Sequence, residues 1–200
     1  MGIATAKTQK LLYHLTEIDN FDSILKYGLL PRKLILEQSI KFTDVADPNI
    51  IYKRTELGLD GFTPFHFHPY SAFDVAVKHA HNPKEMMYIC ITREFARYNN
   101  FYILPQHPLS SDDFELFGYD EGFDKIDWDT LMERNRTDTY AKEVKMAECL
   151  TDLIIPPKCF QCIYVPSIEA RQIVTDILEK HGIDCPPPFV NVQPMWFERN

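Results

Sequence analysis

An imidazole and a hydroxyl stand two residues apart in Tyr13-His14-Leu15-Thr16, within an apolar and aromatic stretch that reads as a strand. Side chains alternate across a strand, so His14 and Thr16 share one face, and Tyr13 and Leu15 share the other. A small polar face on an otherwise apolar strand calls for a ligand or for a closed hydrogen-bond network. The residues alone leave both readings open. Glu148 poses the same question, because it lies among small and apolar neighbours in Met146-Ala147-Glu148-Cys149-Leu150. Carboxylates are rarely buried unless paired, so Glu148 faces a cleft or a cation. Arg54 follows Lys53 on an expected helix, where a guanidinium either clamps a pyrophosphate or sits on a solvated face. His66 and His68 share a face if their run is a strand, but no third ligand completes a metal site, and packing among Phe65, Phe67 and Tyr70 is the plainer reading. His107 precedes a long loop and is placed to meet a substrate. Neither GxGxxG nor GxxxxGKS/T occurs, and GxSxG and HExxH are also absent. A nucleotide, if bound, is therefore not held by a glycine loop.

Positioning these groups requires a particular order of elements. Leu11 to Thr16 reads as a first strand. Asp19 or Asn20 caps a short helix over Phe21 to Tyr27, which Gly28 stops. Leu29 to Ala46 is mixed. Asp47-Pro48 opens the helix that carries Lys53 and Arg54, and Gly58 to Gly61 ends it. Phe62 to Tyr70 reads as an irregular or edge strand, because it contains Pro64 and Pro69. Ser71 caps a helix to about His81, Met86 to Thr92 is a strand, and Phe101 to Leu104 is a short one. Pro105 to Gly122 reads as a long loop that carries Phe114, Phe117 and Tyr119, and loops of that length are often functional. Asp127 to Arg134 reads as a helix, and Lys142 to Leu153 fits helix or strand equally. Phe160 to Val165 is a strand. Ser167 caps a helix with Ile168, Ile173, Val174, Ile177 and Leu178 at helical spacing, and Gly182 stops it. Phe189 to Phe197 is a last strand. Strands and helices do not alternate, so the fold class is α+β rather than doubly wound.

Composition narrows the class further. Two hundred residues fit one domain, 1–200. At 45% apolar and 25% charged, with 14 Phe and 10 Tyr, the chain is globular and not disordered. No run of about 18 apolar residues would span a membrane, and the first ten residues lack a secretory core. Five irregularly spaced cysteines, with one Cys159-Cys162 CxxC pair, read as reduced thiols in a cytoplasmic protein. The net charge of −8 disfavours a general nucleic-acid binder, so any contact with phosphate needs a local basic groove. Lys53, Arg54, Lys78, Arg93 and Arg97 are its candidates.

Taken in order, these pieces resemble the DarT family of DNA ADP-ribosyltransferase toxins. Residues 13–20, Tyr-His-Leu-Thr-Glu-Ile-Asp-Asn, with Gly28-Leu29 after them, are similar to the family's opening strand, turn and helix. Lys53-Arg54, Pro64-Phe65-His66-Phe67, Gln106-His107, Ile126-Asp127-Trp128 and Ala147-Glu148 follow in the family's order, although His66 stands where Tyr is usual. The resemblance implies an ADP-ribosyltransferase-like fold: two small packed β-sheets with surrounding helices, and NAD⁺ (donor and sole cofactor, with no metal) in the cleft between them. It implies Glu148 and Arg54 as catalytic residues, and His14, Thr16, Asn20 and Arg54 as the cofactor-binding set. His107 and Tyr119 are the substrate-binding residues. The implied acceptor is a base in single-stranded DNA, thymidine ahead of guanosine. The implied setting is a monomeric cytoplasmic toxin paired with a DarG-like macrodomain antitoxin. Transfer to RNA or protein, and a catalytically silent nucleotide-binding module, are the alternatives.

Overall fold

The computed structural model describes residues 3–69, 71–107 and 114–199. Tyr70 and the middle of the expected long loop, 108–113, lie outside the described residues. A short 3₁₀ turn, Ile3–Thr8, leads into β1, Leu11–Glu17. After Asn20 comes α1, Phe21–Tyr27, which ends at Gly28 with φ 89°, a backbone that glycine adopts without strain. The mixed segment resolves into α2, Arg32–Glu37, followed by residues 38–47 outside any helix or strand. Asp47 then caps α3, Pro48–Glu56, by accepting the Asn49 amide.

Next come β2, Thr63–His66, and α4, Ala72–Ala80, the latter opened by a reciprocal Ser71–Asp74 capping box. β3 is Met86–Thr92, α5 Arg93–Tyr98 and β4 Tyr102–Leu104. The expected long loop is shorter than the sequence suggested. Phe117–Gly118 forms β5, and Tyr119–Lys125 forms α6. α7 is Trp128–Met132, capped by Asp127. The ambiguous stretch contains both structures in succession: α8, Thr139–Val144, then β6, Glu148–Thr151. β7, Cys162–Val165, α9, Ile168–Lys180, and β8, Phe189–Val192, complete the chain. On α9 the buried stripe is Ala170, Val174 and Leu178, whereas Ile168 and Ile173 are exposed.

The eight strands form one sheet in the order β5-β4-β6-β2-β1-β3-β7-β8, rather than two separate sheets. The sheet nevertheless divides into two halves. β1 pairs with β3 along its whole length, from Leu11↔Thr92 to Glu17↔Met86, but meets β2 only at Tyr13↔His66. β2 in turn pairs with β6 from Thr63↔Thr151 to His66↔Glu148. β2 is therefore interior, not an edge. Pro64, which lacks an amide hydrogen, sits beside the seam with β1, where the ladder is interrupted.

Both faces of β3 are covered. Met87, Ile89 and Ile91 join the main core with Phe21, Phe67, Trp128 and Val174. Met86, Tyr88 and Cys90 join Tyr13, Trp196 and Phe197 on the other side. Each such side chain contributes about 1.5–3 kcal/mol on burial, which makes the seam's surroundings rigid. Among the described residues, no helix is long and apolar enough to cross a membrane.

Candidate active site

A cleft of about 1210 Å³ of atom-free space, its open mouth included, lies at the seam between the two halves of the sheet. His14 and Thr16 of β1, Pro64 and His66 of β2, Glu148 of β6 on the far side of β2, and Arg54 of α3 all line it. His107, just past β4, also opens onto it. Strand alternation places His66 and Glu148 directly opposite each other on the same face, beside Leu104 of β4. Residues 54 and 148 are 94 positions apart, one on α3 and one on β6, and the tertiary fold brings them together.

Glu148 is 3% exposed and both of its carboxylate oxygens accept from Arg54 Nη1, at 2.8 and 3.0 Å. Arg54 Nη2 makes a longer, 3.4 Å contact with Leu59 O. Burial works against ionisation of Glu148. Arg54, with His107 and His66 adding to it, outweighs burial and holds the carboxyl below its ordinary value. The site therefore presents a fixed, buried anion.

Three of the histidines around it, His14, His107 and His68, are held below their ordinary value by burial. Burial depresses His14 to about 4, against a raising contribution from the 2.8 Å hydrogen bond of its Nδ1–H to Pro64 O. That bond leaves Nε2 as the acceptor nitrogen. Burial likewise depresses His107 to about 4; Glu148 pulls it up and Arg54 pushes it down. His68 is buried behind them, depressed to about 3, with Nε2 on Lys145 O.

Three buried polar atoms of the cleft wall lack a hydrogen-bond partner: Thr63 Oγ1, His66 Nδ1 and His107 Nδ1. Unpartnered buried polar groups cost about 1–3 kcal/mol each, so the wall is built for a polar ligand. A dinucleotide with ribose hydroxyls, amide and pyrophosphate matches that set. Arg54 supplies the guanidinium, and Ile24, Leu29, Ile40 and Phe42 supply apolar cover. Among the described residues, no His, Cys, Asp or Glu group suits a metal ion.

Of the residues singled out in the sequence, His14, Thr16, Asn20, Arg54, His107 and Glu148 come together in this cleft. Tyr119 does not. It opens α6, is buried, and stacks on Phe123 at 6.1 Å in a separate groove with Arg93 and Arg97. Its ring packs α6 against the core and lies outside this cleft. Nor do the basic candidates form one groove. Lys78 is buried with Nζ on Trp196 O. Arg93 is buried and donates to the carbonyls of Ala6, Lys7, Leu11 and Phe67, and Arg97 pairs with Asp120.

Two contributors escaped the sequence reading. His66 was assigned to packing, yet it lines the cleft, and its ring also lies 5.8 Å from Phe73. The segment 40–46 forms one side of the cleft, although its sequence carries no periodicity by which to place it.

A curated protein of Thermosipho africanus (strain H17ap60334), a DNA ADP-ribosyl transferase–DNA ADP-ribosyl glycohydrolase fusion protein, is 26% identical over 189 residues, covering 88% of this chain. The chain spans about half the length of that relative, 47%. The fold matches Thermus sp. 2.9 DarT solved in complex with ADP-ribosylated ssDNA, with TM-score 0.80, 21% identity, and coverage of 94% of this chain and 96% of that one. It also matches the same protein in complex with NAD⁺, with TM-score 0.76, 19% identity, and coverage of 96% and 98%. A family model described as "ssDNA thymidine ADP-ribosyltransferase, DarT" matches residues 13–198, nearly the whole of the chain, and the chain therefore belongs to the DarT family.

Proposed function

We propose that this chain transfers ADP-ribose from NAD⁺ to a base of single-stranded DNA, thymidine ahead of guanosine, as the toxin of a toxin–antitoxin pair. The observation that carries the reading is the Glu148–Arg54 pair, buried in a cleft whose wall also holds His14 and Thr16. NAD⁺ supplies an activated glycosidic bond: nicotinamide departs with the bonding electron pair and positive charge grows on the ribose. A fixed anion stabilises charge that exists only at that moment, which is where electrostatic catalysis is strongest. Arg54 keeps Glu148 ionised and aimed, and as a cation lining the cleft it attracts the donor's phosphates. His14 Nε2 and the Thr16 hydroxyl hold the donor's sugar and amide groups.

The attacking ring nitrogen of thymine carries a proton that must leave as the new bond forms. His107 lies beside Glu148 and burial holds it down to about 4, so it accepts a hydrogen bond from that N–H and orients the base, while the proton passes on to solvent. Single-stranded DNA offers its bases without the cost of extruding them from a duplex.

The relatives support the setting: the Thermosipho africanus protein is a fusion of transferase and glycohydrolase, and the Thermus protein was solved with NAD⁺ and with ADP-ribosylated ssDNA. A DarG-like macrodomain partner, a monomeric single domain over 1–200 and a cytoplasmic location belong to the same reading. Transfer to RNA or protein is a second reading, and the net charge of −8 favours the protein acceptor within it.

Labelled NAD⁺ with separate DNA, RNA and protein pools distinguishes them. Label and mass gain appear on single-stranded oligonucleotides containing thymidine, and disappear with Glu148→Gln. Label confined to RNA or protein refutes the DNA acceptor. Binding of NAD⁺ without transfer to any pool refutes the enzyme.

A further inference from the structure

Asn20 stands at the cleft, where the family resemblance makes it a donor contact, but its side chain is already spent. Nδ2 donates to Thr16 Oγ1 at 3.0 Å and to Thr43 O at 2.9 Å, and Oδ1 accepts the Thr43 amide at 2.7 Å. A primary amide has two N–H donors, and both are used. The Asn20 side chain is buried, and its two bonds to Thr43 close a small ring with that backbone. Thr16 accepts in this arrangement and keeps its own hydroxyl hydrogen for a ligand.

Thr43 lies in the segment 38–47, which has neither helix nor strand to hold it. Ile40, Phe42, Thr43, Asp44 and Val45 of that segment form the outer wall of the cleft. The segment is pinned a second time by Arg32 Nε on Asp44 Oδ2 at 2.6 Å, while Asp44 Oδ1 accepts the Ala46 amide. Both pins reach it from the β1–α1–α2 side. A wall made of unsupported chain would have to be ordered whenever a ligand binds, at a cost in affinity. The clamp meets that cost in advance.

We propose that Asn20 is a positioning residue: it acts on the donor through the segment 38–47, whose shape it fixes, and does not touch the donor itself. The proposal rests on the reading of this cleft as the NAD⁺ site. It divides the opening motif into two jobs, with His14 and Thr16 facing the ligand and Asn20 holding the wall opposite them.

Hydrogen–deuterium exchange on the ligand-free full chain, combined with NAD⁺ titration and steady-state kinetics, tests this. In Asn20→Ala, exchange rises in 38–47 and stays unchanged in β3, which is buried on both faces. The dissociation constant for NAD⁺ rises about tenfold, as expected if loss of the clamp leaves the closed wall populated about a tenth of the time. KM rises with it, while kcat at saturating NAD⁺ falls far less. Should Asn20→Ala not fold, Asp44→Ala breaks the half-exposed second pin, leaves the Asn20 bonds in place, and shifts both exchange and affinity in the same direction. Weakened NAD⁺ binding with unchanged exchange in 38–47 would mean direct contact and overturns the proposal. Faster exchange with unchanged affinity overturns it too, because the wall would then not shape the donor site. Wild-type protein that binds no NAD⁺ refutes the donor-site reading itself, and the exchange data still report whether the clamp holds the segment.

Discussion

Arg54→Ala removes the sole side-chain cation hydrogen-bonded to Glu148 among the described residues, and its cost can be worked from the geometry. The pair is buried, with side-chain exposures of 14% and 5%, and both carboxylate oxygens lie within 3.0 Å of Nη1. Two unit charges about 3 Å apart attract by roughly 5–6 kcal/mol at an effective dielectric of ~20. Breaking a buried pair from one side costs about 3–5 kcal/mol, because the remaining charge is stranded. For a chain of this size that is a fall in melting temperature of roughly 6–20 °C.

The pH dependence gives the effect its signature. In the wild type the Glu148 carboxyl is depressed, so its contribution is present above the unfolded value and is lost as pH falls through the folded one. Without Arg54, burial dominates and the folded pKa rises, so the variant suffers most at neutral pH. The gap between wild type and variant therefore narrows as pH falls from about 8 toward 5, where the stranded carboxyl takes up a proton. His14 and His68 titrate in both proteins and cancel in the difference, whereas His107, no longer pushed down by Arg54, rises in the variant and narrows the gap in the same direction. Urea denaturation of wild type, Arg54→Ala, Glu148→Gln and the double variant at both pH values measures it. A gap of equal size at both pH values, or single-variant effects that simply add, would refute the buried-pair account.

Glu148→Gln retains NAD⁺ binding in a titration and loses transfer by about 10²–10³-fold in a single-turnover assay, since it removes charge rather than volume. Acid weakens the fold from about pH 6.5 down toward 4, because the unfolded chain protonates at His14 and His107 where the folded one does not. His14→Gln flattens that slope in a melting-temperature profile, and an unchanged slope would argue against a neutral buried His14. Gly122→Ala places a methyl against Cβ of Ile103 and 3.0 Å from Cβ of Phe117, prising α6 from β4. A loss of about 1–3 kcal/mol in chemical denaturation is expected.

Much of the local structure was legible because it depends on near neighbours. The polar face of His14 and Thr16 follows from strand alternation. Gly28 stops α1, Asp47-Pro48 starts α3, and Ser71 and Ser167 cap their helices, each through contacts within a few residues. Glu148 showed itself as a carboxylate in an apolar setting, which had to be paired or in a cleft; it is both. Local signals failed where distant partners decided. Pro64 suggested an edge, but β6 flanks β2 and only the seam with β1 is short of pairing. Arg93 and Lys78 looked like surface charge until the N-terminal carbonyls and Trp196 O were brought to them. Tyr119 looked like a loop aromatic until a helix carried it into the core.

By itself the sequence determined which side chains of β1 share a face and where the capped helices α1, α3, α4 and α9 lie, since alternation, caps and glycine stops act over one or two turns of chain. Only the tertiary structure decided that Arg54, His66, His107 and Glu148 meet, and that Asn20 is already engaged by Thr43. Periodicity tells a strand which face is apolar but not which strand lies beside it. That choice is made by packing the whole sheet, and the cleft exists because the ladder between β1 and β2 is cut short there.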